Sequence, residues 1–142
     1  MDTIIRPAAA GDLPFLAEHD RHIAVAELDN AIRLGRVLLL ETAEGMPIGW
    51  LRWNLFWDNT PFMNLLYLLE DYRLKGYGRM LVSHWEVLMQ EQGYASVMTS
   101  TQANEGAQHF YRRLGYTDVG GFLLPGEAYE LILHKELHSI SS

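Results

Sequence analysis

The sequence predicts an α/β (α+β) fold in a single domain over residues 1–142, and three observations predict it. The chain has 142 residues, 49% hydrophobic and 20% charged, which is one ordinary domain with matter for one core. Its apolar pattern passes repeatedly between strand-like runs and helical spacing, so strands and helices alternate. At its centre the near-continuous apolar run Met63–Leu69 ends in Glu70 and Asp71. Arg73, Leu74, Lys75, Gly76, Tyr77 and Gly78 follow as a turn, and then Leu81, Val82, Trp85, Leu88 and Met89 recur on one helical face. That succession is buried strand, glycine turn, helix.

The other elements follow in order. Residues 3–6 read as a first strand stopped by Pro7, and Asp12 as an N-cap with Pro14 just inside a helix through about Glu18. Residues 23–34 carry Ala24, Leu28, Ala31 and Ile32 at helical spacing, with Gly35 beyond the end. Residues 36–42 and 47–57 read as strands around Ala43-Glu44-Gly45, and Asp58-Asn59-Thr60-Pro61 as a turn. Gly93 closes the central helix. Residues 94–101 form a strand, and Ala107, Phe110, Tyr111 and Leu114 lie on a short helix ended by Gly115. Residues 116–124 and 127–136 form two antiparallel strands joined across Pro125-Gly126, and the tail from His138 to Ser142 is expected to fray.

Composition narrows the function. A formal net charge of −7 disfavours nucleic acid and favours a cationic partner. No cysteine is present, which excludes disulfides, cysteine-ligated metals and a thiol nucleophile, and fits a cytoplasmic location. No signal peptide and no membrane-length apolar run are expected.

The central turn carries chemistry. The first amides of a helix have no intrahelical partner, and the helix dipole adds partial positive charge there. Glycines allow close approach, and Arg73, Lys75 and Arg79 add cations, so a phosphate or pyrophosphate suits the site as well as solvent does. The dinucleotide pattern GxGxxG fails because position 81 is Leu, and no Gly-Lys-Ser/Thr follows to make a P-loop.

Arg73-x-x-Gly76-x-Gly78 resembles the Gln/Arg-x-x-Gly-x-Gly/Ala signature of the GCN5-related N-acetyltransferases (GNAT). A second segment agrees with it: Asn104, Ala107, Phe110, Tyr111, Leu114, Gly115 and Tyr116 match the family's Asn…Ala…aromatic-Tyr…Leu-Gly-Phe/Tyr pattern, and Pro47-Ile48-Gly49 resembles its second hairpin. The resemblance implies a mixed, mostly antiparallel central sheet of six to seven strands flanked by about four helices. It also implies acetyl-CoA as co-substrate, with no metal, and direct acetyl transfer to a primary amine, expected here to be a small cationic molecule. A non-catalytic coenzyme A sensor on the same fold, or acetylation of peptide amines, is the alternative.

The resemblance assigns residues. Backbone groups around Leu66 to Leu68 would pair with the pantetheine arm, and an amide near Leu68 or Leu69 would polarise the thioester carbonyl. Amides from Leu74 through Lys75, Gly76, Tyr77 and Gly78 to Arg79, with Arg73 at the loop's start, would hold the pyrophosphate. Asn104 would touch the pantetheine or cap the helix, and Tyr111 would donate to the departing sulfur. Glu70 is the first choice for the base, because strand alternation puts it on a face with Leu68, Leu66 and Asn64; Asp71, Glu27 and a water are others. The chain departs from the family with Glu70 for a frequent Pro and Leu74 for a frequent Gly.

His19 and His22 flank Asp20, too few ligands for a metal; the resemblance, in which the first two helices build the acceptor site, implies that His22 belongs to a polar acceptor loop. Trp50, Trp53, Phe56 and Trp57 divide between core and a face that lines the acceptor cleft, Trp53 among them, or forms a homodimer contact.

Overall fold

The computed structural model describes residues 2–138. Among them the order is β1 (Thr3–Pro7), α1 (Leu13–His19), α2 (Val25–Arg33), β2 (Val37–Thr42), β3 (Pro47–Phe56), β4 (Thr60–Leu68), α3 (Tyr77–Glu91), β5 (Ser96–Gln102), α4 (Ala107–Arg113), β6 (Thr117–Phe122) and β7 (Glu130–Glu136). Short 3-10 turns occupy Ala10–Asp12 and Glu70–Tyr72. The tail expectation for residues 139–142 lies outside the described residues.

The strands form one sheet in the order β1-β2-β3-β4-β5-β7-β6. β1–β2, β2–β3, β5–β7 and β6–β7 are antiparallel, whereas β4–β5 is parallel with Phe62 opposite Met98 and Met63 opposite Thr99. The helix α3 is the crossover that a parallel neighbour requires. The sheet is therefore mixed and mostly antiparallel, with four flanking helices, as expected. Contacts divide the chain into two compact units: residues up to Asn54 with Leu65–Trp85, and Leu55–Asn64 with Glu86 onward.

In the first unit, Leu16 of α1, Leu28 and Ile32 of α2, Val37 and Leu39 of β2 and Trp50 of β3 form a core, with Phe15, Leu65 and Tyr67 packed against it. Leu28 and Ile32 are four residues apart on one helical face. Gly35, at φ +73°, turns the chain out of α2. β2 is buried at four successive leucine and valine positions, the pattern of a strand covered on both faces.

Two local expectations are corrected. Asp12 stands at the N-cap of α1 but makes no side-chain cap. Its carboxylate accepts from the Ala9 amide (2.7 Å) and from both terminal nitrogens of Arg6 (2.8 and 3.0 Å), because a bidentate charged pair outweighs a neutral amide. The same guanidinium also reaches Glu41 at 3.1 Å. The second correction concerns the β3–β4 turn, which is tighter than expected: Trp57 and Asp58 take φ of 54° and 62°, and the Asn59 amide donates to Phe56 O at 3.2 Å. This type I′ geometry matches the strand twist, so Thr60 and Pro61 join β4.

In the second unit, Val97, Thr99 and Thr101 of β5 alternate inward, and Leu133 of β7 lies opposite Thr99. Tyr111 of α4 and Tyr116 are buried. Glu86 of α3 accepts from the Tyr116 hydroxyl (2.8 Å) and from Lys135 Nζ (2.7 Å).

Candidate active site

The end of β4 prepares the site's first part. The Leu69 amide donates to Ile48 O at 2.9 Å, on the β3 side. In an antiparallel ladder successive residues direct their polar groups to opposite edges, so Leu66 and Leu68 present theirs on the other edge. Of the two amides expected to polarise a carbonyl, that of Leu69 is thus consumed by the sheet and only that of Leu68 faces the edge away from β3. Leu68 O accepts from Arg73 Nε at 2.9 Å, and the Arg73 guanidinium lies 5.2 Å from the Tyr67 ring centre. Arg73 ties the loop to the strand that precedes it. A side chain at Gly49 would meet Tyr67 O at 2.9 Å, which explains the glycine in Pro47-Ile48-Gly49.

The strand stops at Leu68. Tyr72 N donates to Leu69 O (2.9 Å) and Arg73 N to Glu70 O (3.3 Å), closing a 3-10 turn. A turn with about three residues per revolution does not continue strand alternation. Glu70 therefore does not share a face with Leu68, Leu66 and Asn64, and its side chain is exposed in the turn.

Beyond the turn, Leu74 has φ +61° and Gly76 φ +88°. Left-handed residues of this kind fold successive amides into an anion-binding concavity. Leu74 takes that conformation with its side chain fully exposed, so it has no apolar contact to offset the strain. Met80 N donates to Gly76 O at 3.1 Å, the first bond of the helical ladder. The amides of Tyr77, Gly78 and Arg79 precede it and have no intrahelical acceptor. Lys75 Nζ lies 5.9 Å from the Tyr72 ring centre, and Lys75 and Arg79 are exposed. Orphan amides, left-handed backbone and cations fit a pyrophosphate.

The second unit holds the Asn104–Tyr116 segment. Asn104 is exposed and precedes α4 by three residues; Gly106 occupies the N-cap, so the capping alternative for Asn104 is corrected. Gln108 Nε2 donates to Ala103 O (2.7 Å) and Glu105 O (2.9 Å), pinning the loop before the helix. Tyr111 is 7% exposed, in edge contact with Phe110 and Tyr116 at 5.2 and 5.6 Å. The Thr99 hydroxyl lies near its phenol. Thr99 Oγ donates to Met63 O at 2.9 Å. Burial pushes the Tyr111 phenol up to about 12, and the Thr99 contact works against that rise. Burial, with the Glu86 carboxylate second, also raises Tyr116.

The acceptor expectations divide. His22 is exposed, and its amide donates to Asp20 Oδ1 at 3.3 Å. Asp20 is buried against Arg52, whose Nε donates to Oδ2 at 2.8 Å. His19 Nδ1 donates to Phe15 O (2.9 Å), and its ring stacks on Phe15 at 4.2 Å. Trp53 is corrected: it is 4% exposed and packs on Trp85 at 6.2 Å, which leaves no open ring face for a cation. Trp57, 78% exposed, is the ring of that cluster facing solvent.

Sequence reasoning missed Asp20–Arg52 and Thr99. Arg52 inside Trp50-Leu51-Arg52-Trp53 was a signal, since a cation in a buried strand requires a partner. Thr99 carried none. Among the described residues no group of three His, Cys, Asp or Glu side chains converges on a metal position, and no helix is long and apolar enough to cross a membrane.

The model of the acetyltransferase (GNAT) family matches residues 6–116. The chain belongs to this family. It is thereby an acyltransferase of the N-acetyltransferase class, and acetyl-CoA is the family's acyl donor. Solved GNAT structures share the fold at low identity. Ard1 from Thermoplasma volcanium has a TM-score of 0.84 at 16% identity, covering 98% of this chain and 100% of that one. The PaiA N-acetyltransferase from Thermoplasma acidophilum, solved with coenzyme A, has 0.78 at 19%, covering 96% and 99%. The ribosomal-protein-S18-alanine N-acetyltransferase from Escherichia coli has 0.79 at 17%, covering 99% and 97%. No curated protein matches the chain.

Proposed function

We propose that residues 1–142 form one acetyltransferase domain that moves an acetyl group from acetyl-CoA directly to a primary amine of a small cationic molecule, in the cytoplasm. The observation that carries the reading is the loop from Arg73 to Arg79, where two left-handed residues precede helix amides that have no intrahelical acceptor. Arg73, Leu74, Lys75, Gly76, Tyr77, Gly78 and Arg79 would hold the pyrophosphate, and the free edge of Leu66 and Leu68 the pantetheine arm. The family resemblance gives Asn104 a contact with the pantetheine. Acetyl-CoA supplies an acyl group activated as a thioester. The Leu68 amide serves as the fixed donor for the carbonyl oxygen. Tyr111, neutral below about pH 12, keeps a proton at its phenolic oxygen for the departing sulfur. Glu70, exposed at the loop's start, or a water takes the proton of the amine. His22 belongs to the acceptor loop, and a net charge of −7 favours a cationic acceptor.

A second reading, acetylation of a peptide or protein amine, is favoured by the exposed apolar side chains Phe122, Leu123 and Leu124 ahead of Pro125-Gly126. The test is free-thiol release from acetyl-CoA across a panel of polyamines, amino acids and peptides, with thermal stabilisation by acetyl-CoA and ATP measured beside it. Stabilisation by acetyl-CoA and turnover with small cationic amines is the expected result. Stabilisation by ATP alone overturns the reading, and turnover confined to peptides transfers it to the second.

A further inference from the structure

Arg73 is exposed, yet its side chain turns back on the strand that precedes it. Its Nε donates to Leu68 O at 2.9 Å, and its guanidinium lies 5.2 Å from the Tyr67 ring centre. The 3-10 turn Glu70–Tyr72 makes that return possible and leaves Arg73 extended, at φ −79° and ψ 157°. Tyr67 is itself anchored, with its ring centre 4.8 Å from that of the fully buried Trp50. The bond to Leu68 O bears on the Leu68 amide. Within one strand residue, N–H and C=O point to the same edge. Leu69 N donates to Ile48 O at 2.9 Å on the β3 side, so the peptide joining Leu68 and Leu69 is held from both edges, its N–H by Ile48 and its C=O by Arg73. With that plane fixed, the Leu68 N–H has little freedom to turn from the edge away from β3. The turn's own last bond, Arg73 N to Glu70 O, is long at 3.3 Å, so the main chain alone holds this end of β4 loosely.

We propose that Arg73 is a positioning residue for the Leu68 amide: it holds the end of β4 so that this N–H stays aimed where the carbonyl oxygen of the acyl donor gains negative charge. The inference rests on the donor role given to the Leu68 amide above. As the amine nitrogen bonds to the thioester carbon, the carbonyl π pair moves onto oxygen. A donor already in place there lowers the barrier more than one that must first turn to meet it. Nε is one of the five N–H donors of a guanidinium, and the terminal nitrogens carry the other four. Those remain for the pyrophosphate, while Nε serves the strand. Position and charge thus belong to different atoms of one side chain, and substitution can separate them. Glutamine places an amide nitrogen at the same distance along the side chain as Nε, without the charge.

The test compares Arg73→Met, which removes donor and charge, with Arg73→Gln, which removes the charge alone. The readouts are kcat by free-thiol release, Kd for coenzyme A, and hydrogen exchange of the Leu69 amide in the protein without acyl donor. Arg73→Met should lower kcat about tenfold, a part of the roughly 10²–10³-fold that follows outright loss of such a donor. Arg73→Gln should keep kcat within about threefold of the parent. Both should weaken coenzyme A alike, by roughly two- to fivefold, the size of one exposed charge. The Leu69 amide should exchange several-fold faster in Arg73→Met and at nearly the parent rate in Arg73→Gln. Because the side chain is exposed, both variants should melt within about 3 °C of the parent. Parent-like kcat and Leu69 exchange in Arg73→Met overturn the positioning role and leave acetyl transfer standing. Equal kcat losses in the two variants overturn it too, since turnover then follows the charge and not the donor. A parent that turns over no amine overturns the acetyltransferase reading and with it the proposal, even where Leu69 exchange follows the expected order.

Discussion

The loop Arg73–Arg79 and the Thr99–Tyr111 pair belong to different compact units and work by opposite means. The loop relies on the main chain: its amides are ordered by φ of 61° at Leu74 and 88° at Gly76, while its side chains lie mostly in solvent. The pair relies on buried side chains: the Tyr111 phenol, raised by burial, and the Thr99 hydroxyl, which donates to Met63 O. A backbone site tolerates many side chains, even the strained Leu74 at φ 61°. A hydroxyl site tolerates almost none, because an unpaired buried polar group costs about 1–3 kcal/mol. The difference predicts where substitutions strike. Changes in the loop's main chain act on donor binding, and changes at the pair act on turnover.

The largest effect is expected at the second site. Tyr111→Phe should lower kcat by about 10²-fold or more with KM for acetyl-CoA unchanged, measured by free-thiol release. A rise in KM alone would erase the contrast. Next comes the buried ion pair of the first unit. Arg52→Met leaves the Asp20 carboxylate without its partner and should cost about 3–5 kcal/mol in chemical denaturation. Gly76→Ala should raise KM for acetyl-CoA several-fold at nearly constant kcat, because a Cβ at φ 88° costs about 1–2 kcal/mol. Leu74→Gly sharpens the comparison from the other direction. It removes a similar strain against about 0.5–1 kcal/mol of glycine entropy, so Tm should hold or rise by a degree or two while KM stays unchanged. The smallest effect is an acid limb. Arg6 holds the Asp12 carboxyl below its ordinary value, so its contribution is present above about pH 4 and is lost as pH falls through the depressed folded value. Asp12→Asn should flatten that limb in a melting series, and an unchanged slope would refute it.

The elements were readable because their periodicities are local. Leu28 and Ile32 on α2, or Val97, Thr99 and Thr101 on β5, mark their inward face without knowledge of a partner. The misreadings share one cause. The cap expected of Asp12 and the strand position expected of Glu70 both fail, because Arg6 draws the first carboxylate away and a 3-10 turn rotates the second. Trp53 is closed to a cation because Trp85 packs against it. In each case the deciding contact lies outside the local period: an ion pair at Asp12, a turn at Glu70 and a ring distant in sequence at Trp53.

By itself the sequence determined the succession of strands and helices, the glycine turn before α3 and the spacing of both motifs, because period, glycine placement and charge act over a few residues. Only the tertiary structure decided that the Leu69 amide is consumed by Ile48, that Asp20 meets Arg52, and that Tyr111 is buried between Phe110 and Tyr116. Hydrogen-bond direction and desolvation depend on what the folded chain brings to one point, and no stretch of residues encodes that alone.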